Sequence, residues 1–224
     1  MLIILMRHVE SEKNINKSFS TSDNQEALTE KGYEQIENIS NAILTFLGKN
    51  KLKIDNIICA NSNRALSSGR HLAKKLNVDI KCCNNFLSIT SDENLKGKTE
   101  KELNKTNPTF MKELKLYRDG LFNAYNYSTV AKVLKDGTYE KQVMSKINEY
   151  YEKGNHVVVM IMHHSSLTAA LINFARIGYS YPKDFYGKID ADLGNLFLID
   201  YNKSDCNILC SNEVPQLFSE LKIF

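Results

Sequence analysis

Three points in this chain could do chemistry on an anion: the pair Arg7-His8, then Arg64, then His163. A guanidinium grips a phosphate-like anion through paired hydrogen bonds. An imidazole beside it can attack the anion as a nucleophile. Each point follows an apolar run. Residues 1–6 stop abruptly at Arg7-His8-Val9-Glu10, residues 54–60 precede Arg64, and residues 156–162 end in His163-His164-Ser165-Ser166. Short apolar runs that stop in charge read as buried strands feeding loops. A lone Arg-His pair at a strand end usually marks only the place where the chain reaches solvent. Three such points from distant parts of the chain outweigh that reading, because ligands of parallel sheets bind outside the carboxyl ends of the strands.

The elements that must position these residues alternate. Residues 11–27 are polar and read as a loop over His8. Thr29 can cap a helix from Glu30, whose stripe of Ile36, Ile39, Ile43, Phe46 and Leu47 ends near Gly48. A strand at 54–60, a helix to Leu76 and a short strand at 78–82 follow. Thr99-x-x-Glu102 reads as a capping box, and Pro108 breaks or restarts the helix after it. Helices are expected at 110–127, 138–152 and 167–177, the last closed by Gly178, with Ser165 and Ser166 capping it. Residues 195–201 and 207–210 read as late strands that could pair as an edge hairpin. The pattern implies an α/β fold: three-layer α/β/α with a mostly parallel central sheet. One domain over 1–224 is expected, with a helical cap-like insert at about 84–135.

Composition narrows the function. The net charge of +3 is spread through Lys-rich helices, which gives nucleic-acid binding no support. No stretch approaches the ~18 apolar residues of a membrane span. The five cysteines are odd in number and lack C-x-x-C spacing, which argues against a disulfide framework or zinc site and for a reducing, cytoplasmic compartment. Cys59, inside an apolar run, reads as core. His71 and His156 read as structural. His163-His164 is a poor metal motif, since adjacent strand residues point to opposite faces. G-x-S-x-G is absent, which excludes a nucleophile-elbow hydrolase.

Four segments in order resemble the histidine phosphatase superfamily, the phosphoglycerate mutase-like group. Arg7-His8-Val9-Glu10-Ser11-x-x-Asn14 is similar to its R-H-G-E-[ST]-x-x-N opening. Leu28-Thr29-x-x-Gly32-x-x-Gln35 is similar to its L-T-x-x-G-x-x-Q segment, Arg64-Ala65-x-x-Ser68-Gly69 to R-A-x-x-T-A, and the strand ending in His163 to its strand before S-H-G. The resemblance implies that His8 forms a phosphohistidine and that Arg7, Arg64 and His163 bind the transferring phosphoryl group. It implies that Asn14 helps to hold phosphate or substrate, and that Glu10 orders the loop. No metal or other cofactor is implied, and the partner is a small phosphorylated substrate.

The chain also departs from that pattern. Val9 stands where the family has Gly, Ala60 in a slot often held by Ser, and His164 in place of the Gly after the second His. A branch of the superfamily uses an Asp there as acid; a protonated His164 could take that role, but an imidazole at the surface or behind the substrate-binding residues is the favoured reading, and His164 is counted with the substrate-binding residues. The expected acid slot of an L-x-E-x-x-x-G-x-x-x-G stretch falls on Ile89, which leaves Glu93 or Asp92 as proton donor, with Glu140 ranked lower. Specificity is expected in residues 11–27 and 84–135, where Tyr117, Arg118, Phe122, Tyr125 and Tyr127 either line the pocket or pack on the core. The leading reading is a metal-independent phosphatase working through a phosphohistidine. The alternatives are a phosphoglycerate mutase, which lacks support because the chain has no Trp for a W-x-D-like stretch, and a phosphate-binding or interaction module that has lost catalysis. The sequence sets no oligomeric state.

Overall fold

The N-terminal apolar run is β1 (Leu2–Arg7), a strand inside the sheet, with Ile3 to Met6 fully buried. The structure is a computed structural model that describes residues 1–16, 27–88, 97–118, 138–177 and 192–223. After β1 come α1 (Glu12–Asn16), α2 (Glu30–Lys49), β2 (Asn56–Ala60), α3 (Asn63–Leu76), β3 (Ile80–Cys83), α4 (Glu100–Thr106) and α5 (Pro108–Arg118). Then follow α6 (Thr138–Glu152), β4 (Val157–Met162), α7 (His164–Ile177), β5 (Leu196–Asn202), β6 (Asp205–Glu213) and α8 (Pro215–Glu220).

The sheet order is β3-β2-β4-β1-β5-β6. β3, β2, β4 and β1 run parallel, while β5 lies antiparallel to β1 and closes the edge as a hairpin with β6. This is the expected α/β/α architecture with a mostly parallel sheet. The inner strands read as unbroken apolar runs because helices cover both faces. β4 is buried at every position. α2 packs against both α3 and α8, and α7 packs against both α5 and α6.

Local chemistry sets the helix boundaries. The Thr29 side chain accepts from Gly32 N–H and starts α2. Thr99 and Glu102 close a reciprocal capping box at α4. α4 ends before Pro108, which opens α5 without an N–H to lose. Two elements differ from what the sequence predicts. Residues 12–16 form the short helix α1 inside the expected loop. The six-residue α8, opened by Pro215, carries too little periodicity to be read, yet it buries Phe218 against Phe46 of α2 at 4.8 Å between ring centroids.

Register delivers the site. Arg7 pairs with Met162 across β1 and β4, and His8 N–H donates to Met162 O at 3.0 Å. His8 and His163 therefore leave adjacent strand ends side by side. β2 flanks β4 on the other side, and α3 turns back from its tip with Arg64 in its first turn. Gly69 makes that turn possible: a Cβ there would sit 2.1 Å from Cys59 Sγ, so only glycine lets α3 lie this close to β2.

Candidate active site

His8, Arg64 and His163 meet in one buried cluster, with 3%, 4% and 2% exposure. The two imidazoles sit edge to face with centroids 5.0 Å apart. Arg64 bridges them. Its Nε donates to His8 Nε2 at 3.2 Å, and its terminal nitrogen lies 3.1 Å from His163 Nδ1. A guanidinium can only donate, which assigns the His8 tautomer from its partners. His8 Nε2 accepts, so its Nδ1 carries the proton and donates to Val9 O at 2.8 Å. The unprotonated lone pair is on Nε2, held toward Arg64. The same Arg64 nitrogen lies 3.5 Å from His163 Nε2, which is 3.0 Å from Ser62 Oγ.

Both imidazoles are held well below the ordinary histidine value. Burial is the main cause for each. At His8 the charges of Arg64, Arg7 and Lys13 push the same way, against the Val9 hydrogen bond. At His163 the charges are those of Arg64, His8, Lys13 and Arg7. Neutral imidazole is the form able to attack an electrophile, and this environment favours that form for both rings.

The loop after His8 is fastened by the segment that opens α2. Glu10 N–H donates to Gln35 Oε1 at 2.9 Å, and Thr29 Oγ1 donates to Glu10 Oε1 at 2.9 Å. Lys31 Nζ stands 3.2 Å from Glu10 Oε2. A Cβ on Gly32 would meet Glu10 O at 2.1 Å. Thr29, Gly32 and Gln35 thus explain the spacing of their motif: Thr29 and Gln35 hydrogen-bond Glu10, and Gly32 leaves room for its carbonyl. Val9, in the Gly slot, is fully buried, and its N–H donates to Ser68 Oγ at 3.4 Å, so its β-branch becomes core. Asn14 Oδ1 accepts from the Ser11 N–H at 3.1 Å and the Ser11 hydroxyl at 2.7 Å, which sets the start of α1.

On the opposite side, Ser166 Oγ accepts from His163 N–H at 3.1 Å and donates to Phe86 O at 2.9 Å; α7 starts at His164 rather than Leu167, so Ser165 and Ser166 lie inside its first turn instead of capping it from outside. Ser165 has another task. Tyr139 donates its hydroxyl proton to Leu87 O at 2.7 Å and accepts from Ser165 Oγ at 3.1 Å, and Ser88 Oγ lies 3.4 Å from Ser165 Oγ. This chain of bonds anchors Leu87 and Ser88, at the base of the segment carrying Ile89, Asp92 and Glu93. Those three residues lie outside the described residues, as do Phe122, Tyr125, Tyr127 and Gly178. Tyr117 and Arg118 end α5. His164 is half-buried at the first position of α7, with Nδ1 3.4 Å from Thr168 Oγ1. Glu140 is buried on α6.

Lys13, Ser62 and Ser68 are not singled out by sequence reasoning. Ser68 lies inside a quoted motif, but Lys13 and Ser62 sit in polar stretches where no periodicity marks them. Their signal is spacing alone: Lys13 five residues after His8, Ser62 two before Arg64. Among the described residues no group of three or more His, Cys, Asp or Glu is placed to hold a metal ion. No described helix is long and apolar enough to cross a membrane.

The model of the histidine phosphatase superfamily (branch 1) matches residues 3–214. No curated protein matches the chain. Similar solved structures include Bacillus stearothermophilus YhfR, with 13% identity, TM-score 0.71 and coverage of 95% of this chain and 97% of that one. Phosphoglycerate mutase from Bacillus anthracis str. Sterne is 13% identical, with TM-score 0.68 and coverage of 98% and 95%. Phosphoserine phosphatase from Entamoeba histolytica, in complex with 3-phosphoglyceric acid, is 15% identical, with TM-score 0.65 and coverage of 95% and 96%. At these identities the likeness establishes the fold.

Proposed function

Since this chain belongs to the histidine phosphatase superfamily and is a phosphatase, we propose that it hydrolyses a small phosphomonoester without a metal, through a phosphohistidine on His8. The observation that carries this reading is the tautomer of His8. Its Nδ1–H is committed to Val9 O, which leaves the Nε2 lone pair facing Arg64 in a cationic pocket.

In the first step Nε2 forms a bond to phosphorus as the bond from phosphorus to the leaving oxygen breaks. That oxygen takes a proton from a carboxylic acid, for which Asp92 and Glu93 are the candidates. In the second step a water oxygen attacks phosphorus, the N–P bond breaks, and the water proton returns to the carboxylate. Arg7, Arg64 and His163 hold the non-bridging oxygens, where charge is spread throughout both steps. Asn14 and His164 serve the substrate beyond its phosphoryl group. Neighbours named for phosphoserine and phosphoglycerate support a small phosphorylated substrate. Five free thiols support a reducing, cytoplasmic setting.

The test is hydrolysis of p-nitrophenyl phosphate in EDTA by wild type and His8→Ala, between about pH 4.5 and 8. Activity that survives chelation and vanishes in the variant is expected. Equal activity in a folded His8→Ala protein would remove the phosphohistidine. Phosphate binding with negligible turnover on any phosphomonoester would favour the binding-module alternative.

A further inference from the structure

Ser62 stands where a helix cap belongs and does not act as one. It is the last residue before α3, with the extended backbone of an N-cap, and serine is among the preferred caps. Yet its hydroxyl makes no capping bond to α3. It lies 3.0 Å from His163 Nε2 instead. The backbone on both sides is pinned: Ser62 N–H donates to Ala60 O at 2.8 Å, and Leu66 N–H donates to Ser62 O at 2.9 Å. His163 is pinned in the same way, its N–H donating to Ser166 Oγ at 3.1 Å and its carbonyl accepting from Leu167 N–H at 2.9 Å. What these bonds leave free is the rotation of the buried imidazole. Among the described residues its polar partners are Arg64 and Ser62. Arg64 does not settle the rotation alone, because one nitrogen of its guanidinium lies 3.1 Å from Nδ1 and 3.5 Å from Nε2.

We propose that Ser62 is a positioning residue of the reaction: its hydroxyl holds His163 Nε2 and fixes the ring in the orientation that presents Nδ1 to the phosphoryl group. The proposal rests on the phosphatase reading above and adds a residue to it. An imidazole turned over about its Cβ–Cγ bond exchanges Nδ1 with Cδ2 and Nε2 with Cε1. In the turned ring a carbon faces Ser62, and the 3.0 Å bond is lost. The hydroxyl therefore selects one orientation over the other. A hydroxyl both donates and accepts. It accepts when Nε2 carries a proton and donates when Nε2 does not, so the contact survives the change in protonation that a bound phosphate dianion favours. Ser62 and Arg64 stand two residues apart at the start of α3, which brings the anchor of the ring and the guanidinium beside it to the rim together.

Ser62→Ala, Ser62→Thr, His163→Ala and the double variant Ser62→Ala/His163→Ala test this beside wild type and His8→Ala. The Ser62 hydroxyl makes no capping bond, so Ser62→Ala should melt close to wild type. Turnover is measured with p-nitrophenyl phosphate, and binding of inorganic phosphate by calorimetry. Loss of one hydrogen bond to a buried ring is expected to lower kcat/KM and phosphate affinity by about 10-fold in Ser62→Ala. Ser62→Thr, which keeps a hydroxyl, should recover most of both. NMR of the ring nitrogens should show a single tautomer of His163 in wild type and a mixture in Ser62→Ala, with the His8 nitrogens little changed. A serine that served only the fold would leave those signals alone. Once His163 is replaced by Ala, removing Ser62 as well should cost less than about twofold, because the hydroxyl acts through the ring. A full loss in that background would put the hydroxyl on the substrate itself and overturns the proposal. So do phosphate affinity and kcat/KM within about twofold of wild type in folded Ser62→Ala, or an unchanged His163 spectrum. If His8→Ala keeps full turnover while Ser62→Ala shows the mixed ring and the weaker phosphate binding, the phosphohistidine reading fails and the Ser62 assignment stands.

Discussion

Two clusters of charge in this molecule each contain a histidine, and they behave in opposite ways. At the sheet rim, His8, Arg64 and His163 are buried together, and cations surround both rings. Between α2 and α3, Glu37 pairs with Lys75 and lies 2.8 Å from His71 Nε2, with its side chain 48% exposed. Both clusters shift a titration. Glu37 is held down to about 2, first by the Lys75 hydrogen bond and then by that of His71. At the surface, however, the signs cancel and water surrounds each group, so nothing remains for a ligand. At the rim the like charges converge in a dry place and wait for an anion. A displaced pKa alone does not mark a site; the uncancelled sign and the burial do.

The sharpest way to break that contrast is to remove one cation from each cluster. Arg64→Lys keeps the charge but loses the fork that reaches both imidazoles. A fall in kcat/KM of at least about 10²-fold is expected, the scale of losing one preorganised donor set. Lys75→Met should stay within about twofold of wild type, because exposed pairs contribute little. Steady-state kinetics with p-nitrophenyl phosphate, with melting temperatures to verify folding, reads both. Comparable losses in the two variants would erase the distinction.

Acid should find the same contrast in stability. His8 and His163 titrate below the ordinary histidine value in the folded chain. As pH falls below about 6.5 the unfolded chain binds protons that the folded chain refuses, so stability falls with pH, by up to about 1.4 kcal/mol per unit for each ring. Above about 6.5 both states hold neutral rings and this contribution is flat. Denaturant titrations between about pH 5 and 8 should show that acid loss in wild type and a shallower one in His163→Asn. Saturating inorganic phosphate should also shrink it, since the bound anion favours the protonated rings.

Two glycines test whether the rim depends on close backbone packing. Gly32→Ala drives a Cβ into Glu10 O, backbone that cannot swing aside, and Gly69→Ala drives one into Cys59 Sγ. Overpacking of this kind costs about 1–3 kcal/mol. Gly32→Ala should also lower kcat, because Glu10 follows His8 by two residues. Gly69→Ala should recover in Cys59→Ala/Gly69→Ala, a coupling that a double-mutant cycle in urea would measure.

Much of the rim can be read from residue order alone. Strands β1, β2 and β4 announce themselves as apolar runs ending in charge, and that is why Arg7, His8, Arg64 and His163 can be placed together. Thr29, Gly32 and Gln35 are legible as a motif, but their task is not: two of them bond Glu10 and the glycine leaves room for its carbonyl, a contact made across a loop. Lys13 and Ser62 lie hidden in polar stretches, since an exposed lysine and a buried one look alike in sequence. The Cys59–Gly69 pair is invisible for a related reason. Packing between residues ten apart, on a strand and the helix returning over it, leaves no trace in periodicity.

The smallest effect belongs to Glu37→Gln, and its smallness is the point. The carboxylate titrates at about 2 in the folded chain, from an ordinary value of 4.5. A depressed carboxylate adds stability above its unfolded value and loses it as pH falls through the folded one. The difference between wild type and Glu37→Gln should therefore be level near neutrality, narrow below about pH 4.5, and close near about pH 2. High salt should shrink it, because exposed pairs are screened. Urea melts of the two proteins, with and without salt, would trace this. Their kcat/KM values should coincide across the same pH range wherever both are folded, since Glu37, His71 and Lys75 pair with one another and the catalytic rings answer to other charges. A changed pH–rate profile in Glu37→Gln would mean that the surface cluster speaks to the buried one through α3, the helix that carries both His71 and Arg64.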